Sequence, residues 1–291
     1  MRKLKFISLI IGVFMFAACG AGTSASSGET ASGDLRIISI APSNTEVIAE
    51  LGFAAQIIAT DNYSTDIEGI PSDLPLFDMM TLDGEMIVSL NPDIVFIAGF
   101  IPEDSNPAEL LKNAGIDMVL VPSANSISEI YENIRLIASH LNAETKADEI
   151  IAYMQDEISK INDIVNNITE HRTVYFELDP SPIFTVGGDT FLNELLETAG
   201  GINAFGDQTG WIMVADEMIF AKNPDVILTN NAGSFKDPIG EISERSGWNN
   251  LDAVTNGRVY VVDRNATSRA THNIIIALRQ LTTLIYPEYF N

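Results

Sequence analysis

The sequence predicts an α/β fold of two doubly wound lobes joined by a single long helical spine, and three observations carry that prediction. The phrase EMIVSLNPDIVF begins at Glu85 and is restated as EMIFAKNPDVIL from Glu217, with Glu, Met, Ile, Asn, Pro and Asp in the same places. In each copy an apolar helical pattern runs up to an Asn that can close a helix, a Pro that cannot continue it, and a β-rich apolar run. Each copy is an αβ step of a parallel sheet, so one in each half of the chain indicates two lobes on a common plan. Short β-rich runs alternate with helical patterns around both copies, as in doubly wound sheets. Between them, residues 145–169 contain neither Pro nor Gly and set Ala147, Ile150, Ile151, Met154, Ile158, Ile161, Val165 and Ile168 on one stripe at helical spacing. At about 1.5 Å per residue this is a rod of roughly 35–40 Å, longer than one βα crossover requires.

Residues 35–140 form the expected first lobe. RIISIAPSN opens it at Arg36 as strand and turn, followed by a helix through Val47, Ile48 and Leu51 to a stop at Gly52. QIIATDN is a second strand with a polar end at Asp61, Asn62 and Tyr63. The first repeated phrase follows, then a helix over 106–114 and the strand DMVLVPS. Residues 141–170 are the spine and 171–291 the second lobe. This lobe restarts with TVYFEL and IFTVGG, has a helix over 191–199 closed by Gly200 and Gly201, and places Trp211 in a loop before the second phrase. VYVVD and a helix over 273–284 complete it.

Ahead of the lobes, residues 1–18 read as a signal peptide: Arg2, Lys3 and Lys5 precede an apolar run too short to span a membrane. Cys19, the sole cysteine, follows Phe16, Ala17 and Ala18 and precedes Gly20, a setting similar to a bacterial lipobox. Residues 19–34 are then a lipid-anchored flexible tether of small and polar residues that bury little surface. The expected location is the outer face of the cytoplasmic membrane. With one cysteine no internal disulfide forms, so the fold rests on its apolar core. The formal charge is −24, and removing residues 1–18, with three basic residues and no acidic ones, deepens it to −27. Such a field opposes nucleic acid and anionic lipid.

Ligands in open α/β sheets bind beyond the carboxyl ends of the strands. That rule selects Ser43, Asn62, Tyr63, Phe100, Glu177, Asp179, Asn230 and the loop after Asp263. No GxSxG, HExxH, P-loop or GxGxxG occurs, Ser43 has no evident base, and no converging set of His and carboxylates offers a closed metal site. Catalytic and resident-metal roles are therefore not expected. Tyr63, Met79, Met80, Phe100 and Trp211 are large side chains in loops, the kind that wall a pocket for a bulky, partly apolar ligand. Arg264, Arg269 and His272 are candidate polar anchors in a chain poor in cations, since a guanidinium fork suits a carboxylate or phosphate.

Taken together, RIISIAPSNTEVIAELG, the NPDIVF and NPDVIL pair, IFTVGGDTFLNELLETAGG, GWNNLDAVTNGRVYVVD and the closing ALRQL and YPEYF resemble the solute-binding lipoproteins of ABC importers for ferric siderophores, haem and cobalamin. The resemblance covers nearly the whole chain after the tether. It implies two α/β lobes on one long helix, a monomer, and a permease with its ATPase as partners. It also implies that Glu85 and Glu217, the positions matching the family's docking acids, engage arginine pockets of that permease. Tyr63, Trp211 and Arg269 look like counterparts of residues used by cobalamin-binding members, whereas Met79 stands where those members show an aromatic. The expected ligand is accordingly a ferric iron complex, with cobalamin as the alternative and an exported enzyme acting on a metal chelate as a remoter one. No cofactor beyond the transported ligand is expected.

Overall fold

The repeated phrase folds alike in both halves of the chain. In a computed structural model describing residues 35–99, 105–231 and 236–290, the first copy forms α2 (Gly84–Ser89) and β4 (Ile94–Ala98). The second forms α7 (Asp216–Lys222) and β11 (Val226–Thr229). The phrase's Asn takes the left-handed conformation that ends the helix, with φ of 48° at Asn91 and 41° at Asn223. Its Asp then reaches the start of the neighbouring parallel strand: Asp93 Oδ2 accepts from Arg36 N at 2.8 Å, and Asp225 Oδ2 from Thr173 N at 2.8 Å. Asn, Pro and Asp thus stop a helix, turn the chain and fasten the new strand to its neighbour. The signal peptide, the tether with Cys19, and Phe100 lie outside the described residues.

In the first lobe, β1 (Ile37–Ile40), β2 (Ile57–Asp61), β3 (Leu76–Phe77), β4 and β5 (Asp117–Val121) make a parallel sheet in the order β3-β2-β1-β4-β5. The chain leaves β1 toward one edge and later returns to its other side. A switch point therefore opens between the carboxyl ends of β1 and β4. Helix α1 (Pro42–Ile48) starts directly at that point with Pro near its N-terminus, where a missing N–H is harmless. Helix α3 (Asn106–Asn113) packs with α2 on one face of the sheet.

Two long helices follow. Ser126 caps α4 (Ile127–Leu141) by accepting from Glu129 N, while the Glu129 carboxylate accepts from Asn125 N, one residue before the cap. The spine, α5 (Glu144–Val165), has 22 residues and is about 33 Å long at ~1.5 Å per residue. It stops four residues short of the expected end.

The second lobe holds the parallel sheet β12-β11-β6-β9, made of β6 (Thr173–Glu177), β9 (Ile202–Asn203), β11 and β12 (Val259–Val261). A feature absent from the sequence reading accompanies it. β7 (Asp179–Pro180), β8 (Ile183–Val186) and β10 (Trp211–Met213) form an antiparallel ribbon, so Trp211 opens a strand, paired with Val186, rather than riding on a loop. The remaining helices are α6 (Phe191–Thr198), α8 (Pro238–Ser243), α9 (Asp252–Thr255), α10 (Arg264–Ser268) and α11 (Ile274–Ile285).

One apolar cluster runs through both lobes. It takes Ile37 and Phe96 from the first sheet, Ile134 from α4, Met154 from α5, Leu192 from α6, Leu228 from the second sheet and Leu278 from α11. Smaller clusters cover the opposite face of each sheet. The spine is therefore one layer of a continuous core, and α4, α6 and α11 also knit the lobes together. No described helix is long and apolar enough to cross a membrane.

Candidate functional site

The carboxyl ends of β1, β4 and β5 face the second lobe across a cleft of about 310 Å³. The first lobe supplies the Ala41–Asn44 segment after β1, Ala98 after β4 and the 121–125 segment after β5, with Met79 at the side. The second lobe supplies Phe191, Trp211, Ser268, Arg269 and Ala270. Trp211 is 49 % exposed although it is one of the largest apolar groups, and it meets the edge of Phe191 at 6.3 Å between ring centroids. An aromatic held on a short ribbon and left open beside a soft Met79 is a wall for a large ligand.

The sequence-selected residues divide. Ser43, Met79, Trp211 and Arg269 line this cleft. Asn62, Tyr63 and Met80 are exposed near the carboxyl ends of β2 and β3 and do not line it. Arg264 is exposed on α10, also away from the lining. Asn230 is buried, and its Nδ2 donates to Thr267 Oγ1 and Ser268 Oγ, each at 3.1 Å, tying the end of β11 to α10. Glu177, at the end of β6, is paired with Arg245 at 2.9 Å, and that guanidinium lies 4.7 Å over the Trp248 ring. Burial pushes the Glu177 carboxyl above the usual range even though Arg245 opposes it. Asp179 is exposed, and its carboxylate accepts from Ser181 N in the turn of the ribbon. The second sheet's switch point is thus filled by protein contacts, and the cleft is shaped mainly by the first.

Arg269 departs from the expectation of a free anchor. Its guanidinium donates to Glu46 Oε1 at 2.7 Å, to Asp66 Oδ1 at 2.8 Å and to the Tyr63 carbonyl at 2.8 Å. The Glu46 and Arg269 side chains are only 7 % and 11 % exposed. Glu46 Oε2 further accepts from Thr271 Oγ1 at 2.7 Å and Asn273 Nδ2 at 3.1 Å, and Asn265 donates to Asp66 at 2.6 Å. These bonds clasp α1 and the 61–66 loop of the first lobe to the 265–273 segment of the second. Burial alone raises the Asp66 carboxyl, but hydrogen bonds from Arg269 and Asn265 outweigh it and hold it below the usual range. Burial likewise opposes the charge on Arg269, and its two carboxylate partners overcome that and raise its pKa.

His272 sits in a different hollow, of about 440 Å³, beside Glu46, Glu50 and Asp66. Its Nε2 is 3.7 Å from Glu50 and its Nδ1 is buried without a partner. Burial lowers its pKa despite the nearby Glu50 and Glu46, so the ring is neutral near pH 7. That removes it as a cationic anchor for an anionic ligand. Among the described residues, no group of three or more His, Cys, Asp or Glu is arranged to hold a metal ion.

The sequence reading missed Glu46, Asp66, Phe191 and Asn44. Asn44 and Glu46 stand on either side of Thr45 in the SNTEV segment, and the strand-end rule already pointed there through Ser43. Nothing in the sequence paired Glu46 with Arg269, 223 positions away. Glu85 and Glu217 both occupy the second position of their short helices, each followed by an exposed Met and then a fully buried Ile. The neighbouring acids are engaged in the fold: Asp83 caps α2 through Met86 N, and Asp216 accepts from Trp248 Nε1.

A family profile described as periplasmic binding protein matches residues 37–266. An uncharacterized ABC transporter substrate-binding lipoprotein, YvrC, of Bacillus subtilis is 33 % identical over 262 residues, covering 88 % of this chain and 81 % of the relative. A vitamin B12-binding protein of Vibrio cholerae is 26 % identical over 258 residues, covering 86 % and 88 %. The crystal structure of a possible iron-binding (periplasmic solute-binding) protein from Staphylococcus epidermidis superposes with a TM-score of 0.74 at 30 % identity, over 86 % of this chain and 98 % of that one.

Proposed function

Because the chain belongs to the periplasmic binding protein family, we propose that it is the extracytoplasmic receptor of an ABC importer, capturing a ferric iron complex between its lobes, residues 35–140 and 171–291, and delivering it to the permease. The observation that carries this reading is the cleft itself, placed at the first sheet's switch point and closed from the other lobe by the half-exposed Trp211. Met79, Trp211 and Phe191 are its walls. Tyr63 and Met80, exposed near the carboxyl ends of β2 and β3, and Phe100, outside the described residues, are the further ligand contacts of this reading. Cobalamin is the second reading, supported by a relative named for vitamin B12 and by the aromatic at position 211. Among the described residues lining the cleft, no nucleophile is paired with a base to support an enzyme reading.

The receptor is anchored through acylated Cys19 on the 19–34 tether and works as a monomer. Glu85 and Glu217, exposed at equivalent helix starts, dock one on each half of a two-fold permease. Ligand titration of the purified chain, followed by tryptophan fluorescence, tests the reading. Trp211 lines the cleft while Trp248 is fully buried, so the saturable change is lost in Trp211→Phe and kept in Trp248→Phe. Turnover of a bound chelate, or no binding by ferric siderophore, haem or cobalamin, overturns it.

A further inference from the structure

Resting on that receptor reading, we infer that the cleft is built for an electrically neutral metal complex whose outer shell presents carbonyl or carboxamide oxygens, and that Asn44 supplies a directional hydrogen bond to it.

Asn44 lies in the cleft wall on the first turn of α1, with 2 % of its surface exposed. Its Nδ2 is buried and has no hydrogen-bond partner, whereas most buried polar groups of a folded chain have one. Two nearby polar groups are already engaged: the Thr45 hydroxyl bonds Ser39 and the Ala41 carbonyl, and the Asn133 amide donates to the Pro122 carbonyl. The terminal torsion of an Asn is broad, so a small turn presents the N–H to an acceptor inside the cleft. A bound carbonyl oxygen would then satisfy this buried donor.

The charge inventory sets the rest of the ligand's character. Arg269 is the only ionisable residue among the described residues lining the cleft, and Glu46 and Asp66 answer it. The other polar liners, Ser43, Ser123, Asn125 and Ser268, are neutral. An anionic chelate would lose its water here without gaining a free cation, a loss that nearby dipoles offset only in part. The chain's net charge of −24 adds long-range repulsion. A neutral complex meets neither penalty, and hydroxyl and amide groups recognise carbonyl oxygens by direction rather than by charge.

Equilibrium dialysis of the purified chain tests this with four probes: a neutral ferric trihydroxamate, cyanocobalamin, haemin with its two carboxylates, and a trianionic ferric tris-catecholate. Saturable binding is expected for one of the two neutral probes, and which one separates the siderophore source from the cobalamin source. Its affinity should change little from about 0.1 M to about 1 M salt, over which the Debye length shrinks from about 10 to about 3 Å. Asn44→Ala should weaken that probe about 10- to 100-fold, the range for a lost hydrogen bond that leaves an acceptor unpaired, with the melting temperature unchanged or raised. Tightest binding by haemin or the catecholate overturns the inference but leaves the receptor reading standing. An unchanged affinity in Asn44→Ala removes Asn44 from the contact. Failure of all four probes to bind folded protein overturns the receptor reading and the inference with it.

Discussion

Replacing Arg269 with Ala separates a clasp between lobes from a ligand anchor. The substitution leaves Glu46 in a buried site without its guanidinium partner, and breaking a buried ion pair from one side destabilises by about 3–5 kcal/mol. Glu46 keeps hydrogen bonds from Thr271 and Asn273, which places the expected loss near the lower end, about 3 kcal/mol. The second pair, with half-exposed Asp66, adds at most about 1 kcal/mol. A chain of this size shifts its melting temperature by about 2–4 °C per kcal/mol, so a total of about 3–4 kcal/mol corresponds to an expected fall of roughly 6–16 °C by circular dichroism. Glu46→Leu combined with Arg269→Met should recover most of that loss, because a well-packed apolar pair has no charge to desolvate. Affinity for a neutral ligand should fall far less than the stability does. A melting temperature within about 2 °C of the parent, together with selective loss of an anionic chelate, would refute the clasp and return Arg269 to the role of anchor.

Three other predictions concern separate regions of the chain. Glu85→Ala with Glu217→Ala should abolish ligand-stimulated ATPase activity of the reconstituted importer while leaving ligand affinity unchanged; a fall in ligand affinity instead would make these acids part of the binding site. Cys19→Ala should move the protein from the membrane fraction to the soluble fraction with its fold intact, and continued membrane retention would argue against acylation there. For His272 burial lowers the folded pKa beneath its ordinary value of 6.5, so the unfolded chain takes up the proton first as pH falls. The stability that neutral His272 contributes is complete above about pH 7 and is lost as pH falls through the ordinary value toward the lower folded one. Denaturant midpoints measured between about pH 7 and pH 5 should therefore decline in the parent and decline less in His272→Gln, and parallel curves would show that the ring does not titrate with folding.

The sequence by itself determined what depends on near neighbours along the chain. Helix and strand periods are local, so the alternation of elements, the spine and the two-lobe plan were all readable from it. The NPD phrase was readable for the same reason, since a left-handed Asn, a Pro and a strand-fastening Asp act within a few residues of each other. The switch-point rule then led to the carboxyl ends of the first sheet and to Ser43, which lines the cleft there. Tertiary structure decided which polar groups were already engaged. Arg269 looked like a free cation because its type favours anions, but Glu46 and Asp66 reach it from 223 and 203 positions away. Asn230 stood at a strand end as expected, yet α10 folds over it and takes up its amide. Burial holds the His272 pKa below its ordinary value, which no local pattern records. Trp211 owes its place in the cleft to a ribbon pairing with Val186 across 25 residues. Residue type shows what a side chain is able to bind, whereas the folded chain settles what it has already bound, because long-range contacts and loss of water are properties of the packed structure.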